Sequence, residues 1–463
     1  MIMKTTAPAH TFPPSARLSW MIGLYESLWY LLMPLFLAFL WRRGRKEPLY
    51  RAFWHERWGN THTALQRPLW VHSASMGEIR GAAPLVRALL AAGYPVLVTT
   101  LTPAGRTAAQ KLFESDITAG RAQVAYVPFE LGLAVRRFIR RVQPRAAIMT
   151  EIDTWPVLLA TIRRQGVPLA MVNAQYPAKS IVRDRRWFGF RADLFRAYEL
   201  VLCKSETHAQ RFRAVGCARV EVAGETRFDL PVSPPHITAA QALVSHWHLA
   251  TGVPAGRPVV CFASAIVGED ESFAQAMRQV QAGVASAGLP APLFVYVPRS
   301  PQRFDLVAEL FDGVGLRVAR RSHMLDAALK PTTDAPEMAH IDVLLGDSLG
   351  EMYFYLALSQ VVVVGASFVP MGAHNIIEPL ALRKPVMVGP SIWGIEYPAV
   401  EALAAHVLQQ HMTIDSLSQA LVHLLTDKLA SAQAIAGAEA FYAEHGGATS
   451  KHMAALVPWL ERT

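Results

Sequence analysis

The stretch LWVHSASMGEIRGAAPLVRALLAAGYPVLVTT, residues 69–100, decides the fold class. It opens on an apolar run, LWVHS (69–73), and passes through small residues into the periodic segment IRGAAPLVRALLAAG (79–93). It closes on a second apolar run, PVLVTT (95–100). Continuously apolar strands around an amphipathic helix make a β-α-β unit, in which helices cover both faces of a parallel sheet. The alternation continues through AQVAYV (122–127), AAIMT (146–150), VPLAMVN (167–173), ELVLC (199–203) and RVEVAG (219–224), with helical segments such as LGLAVRRFIRRV (131–142) between them. Residues 231–257 carry Pro and His without strong periodicity and hold the linker, placed at 236–257. A second series follows: PVVCFAS (258–264), PLFVYVP (292–298), LRVAR (316–320), IDVLLG (341–346), QVVVVG (360–365) and KPVMVG (384–389). The expected architecture is α/β with two doubly wound domains, at 47–235 and 258–428, after a tail and anchor at 1–46 and before a helical segment at 429–463. Ligands are expected at the carboxyl ends of the strands, in a cleft between the domains.

The composition agrees with this division. The 463 residues are enough for two or three domains, and 52% hydrophobic against 17% charged excludes a disordered chain. Residues 1–230 carry 32 Lys+Arg against 16 Asp+Glu, and the rest 13 against 20, so the net +9 divides into +16 and −7. The basic first half predicts an anionic partner. Cys203, Cys217 and Cys261 have neither paired nor metal-like spacing, which fits a reducing compartment. No nucleic-acid motif accompanies the positive charge.

LSWMIGLYESLWYLLMPLFLAFLW (18–41) contains one charge, Glu26, and meets the length of about 20 apolar residues that a membrane crossing needs. Trp20 and Trp41 sit near its ends, and Arg42, Arg43, Arg45 and Lys46 follow at once. A single spanning anchor with its C-terminal side cytoplasmic is expected. Glu26 and Pro34 keep open a kinked helix lying in the interface.

Several segments carry candidate chemistry. In WVHSASMGEIRGAAPLVRAL (70–89), Glu78 opens a helix after a strand, where a carboxylate can take a proton from a hydroxyl; acidic residues are also favoured in any first helical turn. TEIDTWP (150–156) places Glu151 and Asp153 on one side if extended, as a metal–nucleotide pair or as caps before Trp155-Pro156. VNAQYPAKS (172–180) ends another strand and precedes the basic cluster Arg183, Arg185, Arg186. In VPRSPQRF (297–304), Arg299 and Arg303 are candidates for a phosphate or are ordinary loop arginines. Gly346, Ser348, Gly350 and Glu351 form a small-residue loop before a helix, and VVVVGASFVPMGAHNIIEPLALRKPVMVGP (361–390) carries a second such loop with His374, Asn375 and Glu378.

Together, HSASMGE, TEIDTWP, VNAQYPAKS, VPRSPQRF, LGDSLGEM and VGASFVPMGAHNIIEPLALRKPVMVGP resemble, in order, the motifs of the 3-deoxy-D-manno-octulosonic acid (Kdo) transferase family of lipid A and lipopolysaccharide biosynthesis, over about residues 20 to 430. The resemblance implies a B-type glycosyltransferase fold, two Rossmann-like domains, and inverting transfer of Kdo from CMP-Kdo to a lipid A precursor at the cytoplasmic face of the inner membrane. It implies Glu78 as general base. It assigns the donor to Arg299, Ser348, Gly350, Glu351, His374, Asn375 and Glu378, and the acceptor to Ser75, Gly77, Glu151, Asn173 and Lys179. Neither a metal nor a further cofactor is expected, and the partners are CMP-Kdo, an anionic glycolipid and the membrane. This chain departs from the family pattern at Ser264-Ala265-Ile266 (for A-S-T-H), Arg299-Ser300-Pro301 (for R-H-P), Gly389-Pro390-Ser391 (for G-P-H) and Asn173-Ala174-Gln175 (for N-A-R). A changed donor or acceptor, or a non-catalytic tethered relative, therefore remain as other readings.

Overall fold

The computed structural model describes residue 12 and residues 15–186, 189–249, 256–332 and 337–462. It divides into two compact units, Met1–Leu230 with Gly446–Thr463, and Pro231–His445.

The first unit holds a seven-stranded sheet: β1 Leu69–His72, β2 Val96–Thr100, β3 Ala122–Tyr126, β4 Ala146–Thr150, β5 Leu169–Ala174, β6 Leu200–Cys203 and β7 Val220–Val222. Its order is β3-β2-β1-β4-β5-β6-β7, and every pairing is parallel. The second unit holds β8 Val259–Ala265, β9 Leu293–Pro298, β10 Val318–Arg320, β11 Val343–Leu345, β12 Val361–Val364, β13 Val386–Val388 and β14 Leu408–Gln410. That sheet is also parallel throughout, in the order β10-β11-β9-β8-β12-β13-β14. The central strands are buried on both faces, which is why they read as unbroken apolar runs instead of alternating ones. Trp70 on β1 is fully buried and donates its indole N–H to Thr99 Oγ1 at 2.7 Å, so the one polar atom of a large core side chain is satisfied.

The thirteen expected strand segments all contain strands. β14 was not anticipated, because LQQ carries one apolar residue and lies at a sheet edge, where burial imposes no pattern. The linker expectation needs correction. Pro234–His246 is a helix with Ala240, Leu243 and Val244 buried, started by Pro234 and Pro235 in its first turn. Residues 250–255 of that linker lie outside the described residues. The C-terminal segment is divided as well. Helix Lys428–His445 belongs to the second unit, whereas helix Ala448–Leu460 returns to the first. There Leu456, Trp459 and Leu460 join the core beside β1 and helix Met76–Ala91, and Asp229 accepts from Gly447 N and Thr449 N at the start of the helix.

The N-terminal apolar segment is a single helix, Ala16–Arg43, capped by Ser15 and running through Pro34. One face is docked on the first unit. Leu18 and Ile22 enter the core formed with β1, β4 and β5, and Met33 and Leu40 pack with Phe129, Leu131 and Tyr50.

Candidate active site

In a doubly wound sheet, ligands bind at the carboxyl edge where strand order reverses. In the first unit that point lies between β1 and β4, and the chain after β1 carries Ser75, Gly77 and Glu78. Ser75 caps helix Met76–Ala91, accepting from Glu78 N and donating to Glu78 Oε1 at 3.0 Å. Glu78 Oε2 accepts from Ala74 N at 2.8 Å and from Thr150 Oγ1 at 3.4 Å. The side chain expected to act as base is thus also the one that ties Ala74 N and Ser75 at the start of the helix. Burial, followed by the nearby Glu151 carboxylate, pushes the Glu78 carboxyl above its usual range, and the hydrogen bonds only partly offset this. A carboxylate so raised is a stronger base that still has one turn of backbone fixing its direction.

Glu151 does not sit in extended backbone. Its φ of +60° turns the chain at the end of β4, and the carboxylate is taken up by Arg227 at 2.9 Å, Lys204 at 3.6 Å and Gln175 at 2.8 Å. With two cations on Glu151, the E-x-D pair is not an open dication site. Asp153 is half-buried, with Oδ2 fully enclosed, and its carboxyl is pushed well up by desolvation, then by Glu78 and Glu151. Its Oδ2 lies 3.6 Å from Nε2 of His72, and neither atom has a hydrogen-bond partner. Burial lowers His72 to about 4, so the imidazole is neutral, with Nδ1 on Thr99. The first unit therefore gathers Glu78, Glu151, Asp153, His72, Lys204 and Arg227 around one strand edge.

Sequence reasoning missed His72, Lys204 and Arg227. The signal for His72 was a histidine inside an otherwise apolar strand. Asn173, expected to face the acceptor, is 2% exposed. Its Nδ2 donates to Thr226 Oγ1 at 2.7 Å, its Oδ1 accepts from Thr226 N, and its backbone N–H reaches Nε2 of His452. It braces β5 against the segment that carries Arg227. Lys179 stands exposed in the first turn of helix Ala178–Arg186, with Arg183, Arg185 and Arg186 exposed beyond it.

In the second unit strand order reverses between β8 and β12. The loops after β11, β9, β8 and β12 follow one another along that carboxyl edge. Arg299 leaves β9 exposed, with its N–H on Ala265 O at 2.8 Å. Arg303 turns inward: it is 7% exposed, pairs with Asp270 and donates to Ala265 O. Only one of the two arginines of VPRSPQRF therefore faces outward.

Ser348 donates to Glu351, and Arg321 pairs with the same carboxylate at 2.6 Å, while Gly350 takes the positive φ that closes the turn. After β12, a Cβ on Gly365 would lie 2.6 Å from Ser264 O, so only glycine lets β12 and the β8 loop meet so closely. His374 N donates to Gly365 O, and its Nε2 is buried without a partner. Burial and the neighbouring Arg299 lower this imidazole to about 4. Asn375 Oδ1 accepts from Ile377 N, and Glu378 stands in the first turn of helix Ile377–Ala381.

Glu269 was not foreseen, and it organises this edge. It is 0% exposed and accepts from Ile266 N (3.0 Å), Ala366 N (2.8 Å), Ser367 N (3.0 Å) and Phe368 N (3.1 Å). Its one visible signal is an acidic residue where the chain after β8 enters helix Asp270–Ser286. Among the described residues, no group of three or more His, Cys, Asp or Glu is arranged to hold a metal ion.

Comparison with known proteins gives one consistent result. Residues 52–230 match a family model described as 3-deoxy-D-manno-octulosonic-acid transferase. A 3-deoxy-D-manno-octulosonic acid transferase of Bordetella pertussis is 36% identical over 445 residues, covering 95% of this chain and 99% of its own. That of Haemophilus influenzae is 28% identical over 95% of this chain and 98% of its own. Among solved structures, a putative UDP-N-acetylglucosamine 2-epimerase of Listeria monocytogenes superposes with a TM-score of 0.58 at 15% identity, over 86% of this chain and 98% of that one, which is a likeness of fold.

Proposed function

The chain belongs to the 3-deoxy-D-manno-octulosonic acid (Kdo) transferase family, and so is a Kdo glycosyltransferase of B-type fold; from that premise we propose that it moves Kdo from CMP-Kdo to a lipid A precursor, with inversion, at the cytoplasmic face of the inner membrane. The observation that carries the chemistry is Glu78, fixed by Ala74 N and Ser75 Oγ and raised in basicity by its surroundings. In the proposed step an acceptor hydroxyl oxygen bonds to the anomeric carbon of Kdo while the bond from that carbon to the phosphate oxygen breaks. The hydroxyl proton passes to Glu78, and CMP departs with the electron pair. Attack on the face opposite the phosphate inverts the centre.

The donor is assigned to the carboxyl edge of the second sheet, where Arg299 supplies positive charge and Ser348, Gly350, Glu351, His374, Asn375 and Glu378 shape the loops. A neutral His374 can donate to a sugar or phosphate oxygen, or accept from a sugar hydroxyl, without adding charge. Ser75, Gly77, Glu151 and Lys179 are assigned to the acceptor. Glu151 acts through Arg227 and Lys204, which it orients. The basic composition of residues 1–230 suits a phosphorylated amphiphile. Charge stabilisation by Arg299 and backbone N–H groups makes a metal unnecessary in this reading.

The test incubates the full chain with CMP-Kdo and a tetraacylated, bisphosphorylated glucosamine disaccharide, and follows products by mass. A Kdo adduct that persists in EDTA and is lost in Glu78→Ala is expected, since a positioned base contributes roughly 10²–10⁴ in rate. An adduct undiminished in Glu78→Ala would refute the assignment of the base. Turnover of a different nucleotide sugar alone would refute CMP-Kdo as donor, in line with the changed residues at 264–266 and 299–301.

A further inference from the structure

Helix Ala16–Arg43 has two unlike faces although its sequence is apolar nearly throughout. Leu18, Ile22, Met33 and Leu40 are buried, and Tyr25, Glu26, Trp29, Phe36 and Leu37 are half-buried between them. These positions recur every three or four residues, so they form one stripe. All of it packs on the first unit. Near the middle of the stripe, Glu26 Oε1 accepts from Gly132 N at 2.7 Å, at the start of helix Gly132–Val142. At the far end Phe36 meets Phe129 edge to face at 6.0 Å, and Arg51 both donates to Trp41 O and lies over its ring at 4.1 Å.

The opposite stripe is Trp20, Leu24, Leu28, Leu31, Leu35 and Phe39, all exposed, with Trp20 at 68%, Leu31 at 74% and Leu35 at 69%. It carries no charge. Arg17 precedes it, and Arg42, Arg43, Arg45 and Lys46 follow it.

Length decides between crossing and lying flat. Leu18 and Leu40 are 22 positions apart, roughly 33 Å of helix at 1.5 Å per residue. The hydrocarbon core is about 30 Å thick. The docked length equals the membrane's thickness, so no undocked stretch remains to span it. A crossing helix would draw the Glu26–Gly132 contact and the neighbouring Arg136 guanidinium into the hydrocarbon, where charged side chains are strongly disfavoured.

We infer that helix Ala16–Arg43 is an in-plane anchor, which lies along an anionic bilayer surface with its exposed stripe among the acyl chains and its other stripe in the protein core, and does not cross. The cations at both ends match anionic headgroups. They disfavour a second copy of this chain as the occupant, because pairing two such stripes in either direction brings cationic ends together. The inference rests on the packing of one helix and is independent of the substrates proposed above.

Topology tests it without any activity measurement. The full chain with Ala16→Cys or Ala119→Cys is expressed, and sealed inverted inner-membrane vesicles are treated with a membrane-impermeant maleimide. Cys203, Cys217 and Cys261 are buried and give a low background. Both new thiols are expected to label equally without detergent. Labelling of Ala119→Cys alone, with Ala16→Cys reacting only after permeabilisation, overturns the inference. In a second measurement, nitroxides at Leu24, Leu31 and Leu35 should report one common depth of about 5–10 Å; depths that progress along the helix by roughly 10 Å per seven residues would overturn it equally. Purified protein should co-sediment with phosphatidylglycerol-containing vesicles, and Leu24→Glu combined with Leu31→Glu should abolish this. Self-association in place of vesicle binding contradicts the lipid occupant.

Discussion

Glu78, the base proposed above, is one residue on which two demands fall. Its two carboxylate oxygens hold Ala74 N and Ser75 Oγ, which fixes its direction, and burial with the nearby Glu151 keeps it a better base than a free glutamate. A base must be ionised to act. Because its pKa is raised, protonation begins at a higher pH than for an ordinary glutamate near 4.3, and activity is lost as pH falls through that raised value. The acid limb of the kcat/KM profile for Kdo transfer should therefore lie above the ordinary carboxylate range. Glu151→Gln should move it to lower pH. The substitution removes a repulsive charge from Glu78 and releases Arg227 and Lys204 from their ion pairs, and both changes favour the ionised base. An unmoved limb would assign it to another group. The place of Glu78, at a helix start after an apolar strand, was legible from the local pattern, whereas its role as base came only from the resemblance. His72, Lys204 and Arg227 were not, because they come from three separate elements that only the sheet order brings to one edge.

At the scale of elements, apolar runs and the periodic segments between them identified thirteen strands, since a parallel sheet buried on both faces imposes a pattern that survives in one dimension. The linker reading failed at Pro234–His246 because a short helix needs only a few buried side chains, and HITAAQALVSH carries them without a marked polar face. Loops were the least legible, because their shape depends on partners distant in sequence. Glu269 gathers amides of residues 266, 366, 367 and 368, nearly 100 positions apart. Glu269→Ala leaves four N–H groups, two buried and two partly buried, without that acceptor. With a desolvation cost of about 1–3 kcal/mol for each unsatisfied group, and partial relaxation, destabilisation on the order of 3–5 kcal/mol is expected in urea unfolding of the second unit. Glu269→Gln, which keeps one acceptor oxygen, should cost less. In both variants CMP-Kdo affinity should fall while vesicle binding through helix Ala16–Arg43 stays the same. Unchanged donor affinity in a destabilised Glu269→Ala would separate this carboxylate from the donor site.

For the whole molecule, the opposed charges of the two halves follow the division into units, with one change. Residues 446–463 return to the first unit and add Lys451 and Arg462 against Glu461, so the units carry +17 and −8. A linear reading assigns the last helix to the domain it follows, and nothing in its apolar spacing says which core it enters. The return is not incidental to stability. Leu456, Trp459 and Leu460 are buried in the first unit, His452 is fully buried with Nε2 accepting from Asn173 N, and Arg145 donates to Leu460 O. Burial holds His452 near 4, hence neutral, as an acceptor must be. At about 1.5–3 kcal/mol per large apolar side chain, the three contribute on the order of several kcal/mol, a large share of the 5–15 kcal/mol typical of a folded domain. A chain ending at His445 should therefore lose its first unit selectively. In limited proteolysis across a urea series, fragments from residues 1–230 should disappear at lower urea than in the full chain, and fragments from residues 231–445 should persist to the same concentration in both. Trp459→Ala in the full chain should shift the first transition the same way by about 3–5 kcal/mol. If both units instead failed together in the shortened chain, the final helix would be stabilising the molecule as one cooperative body and not the core that it enters.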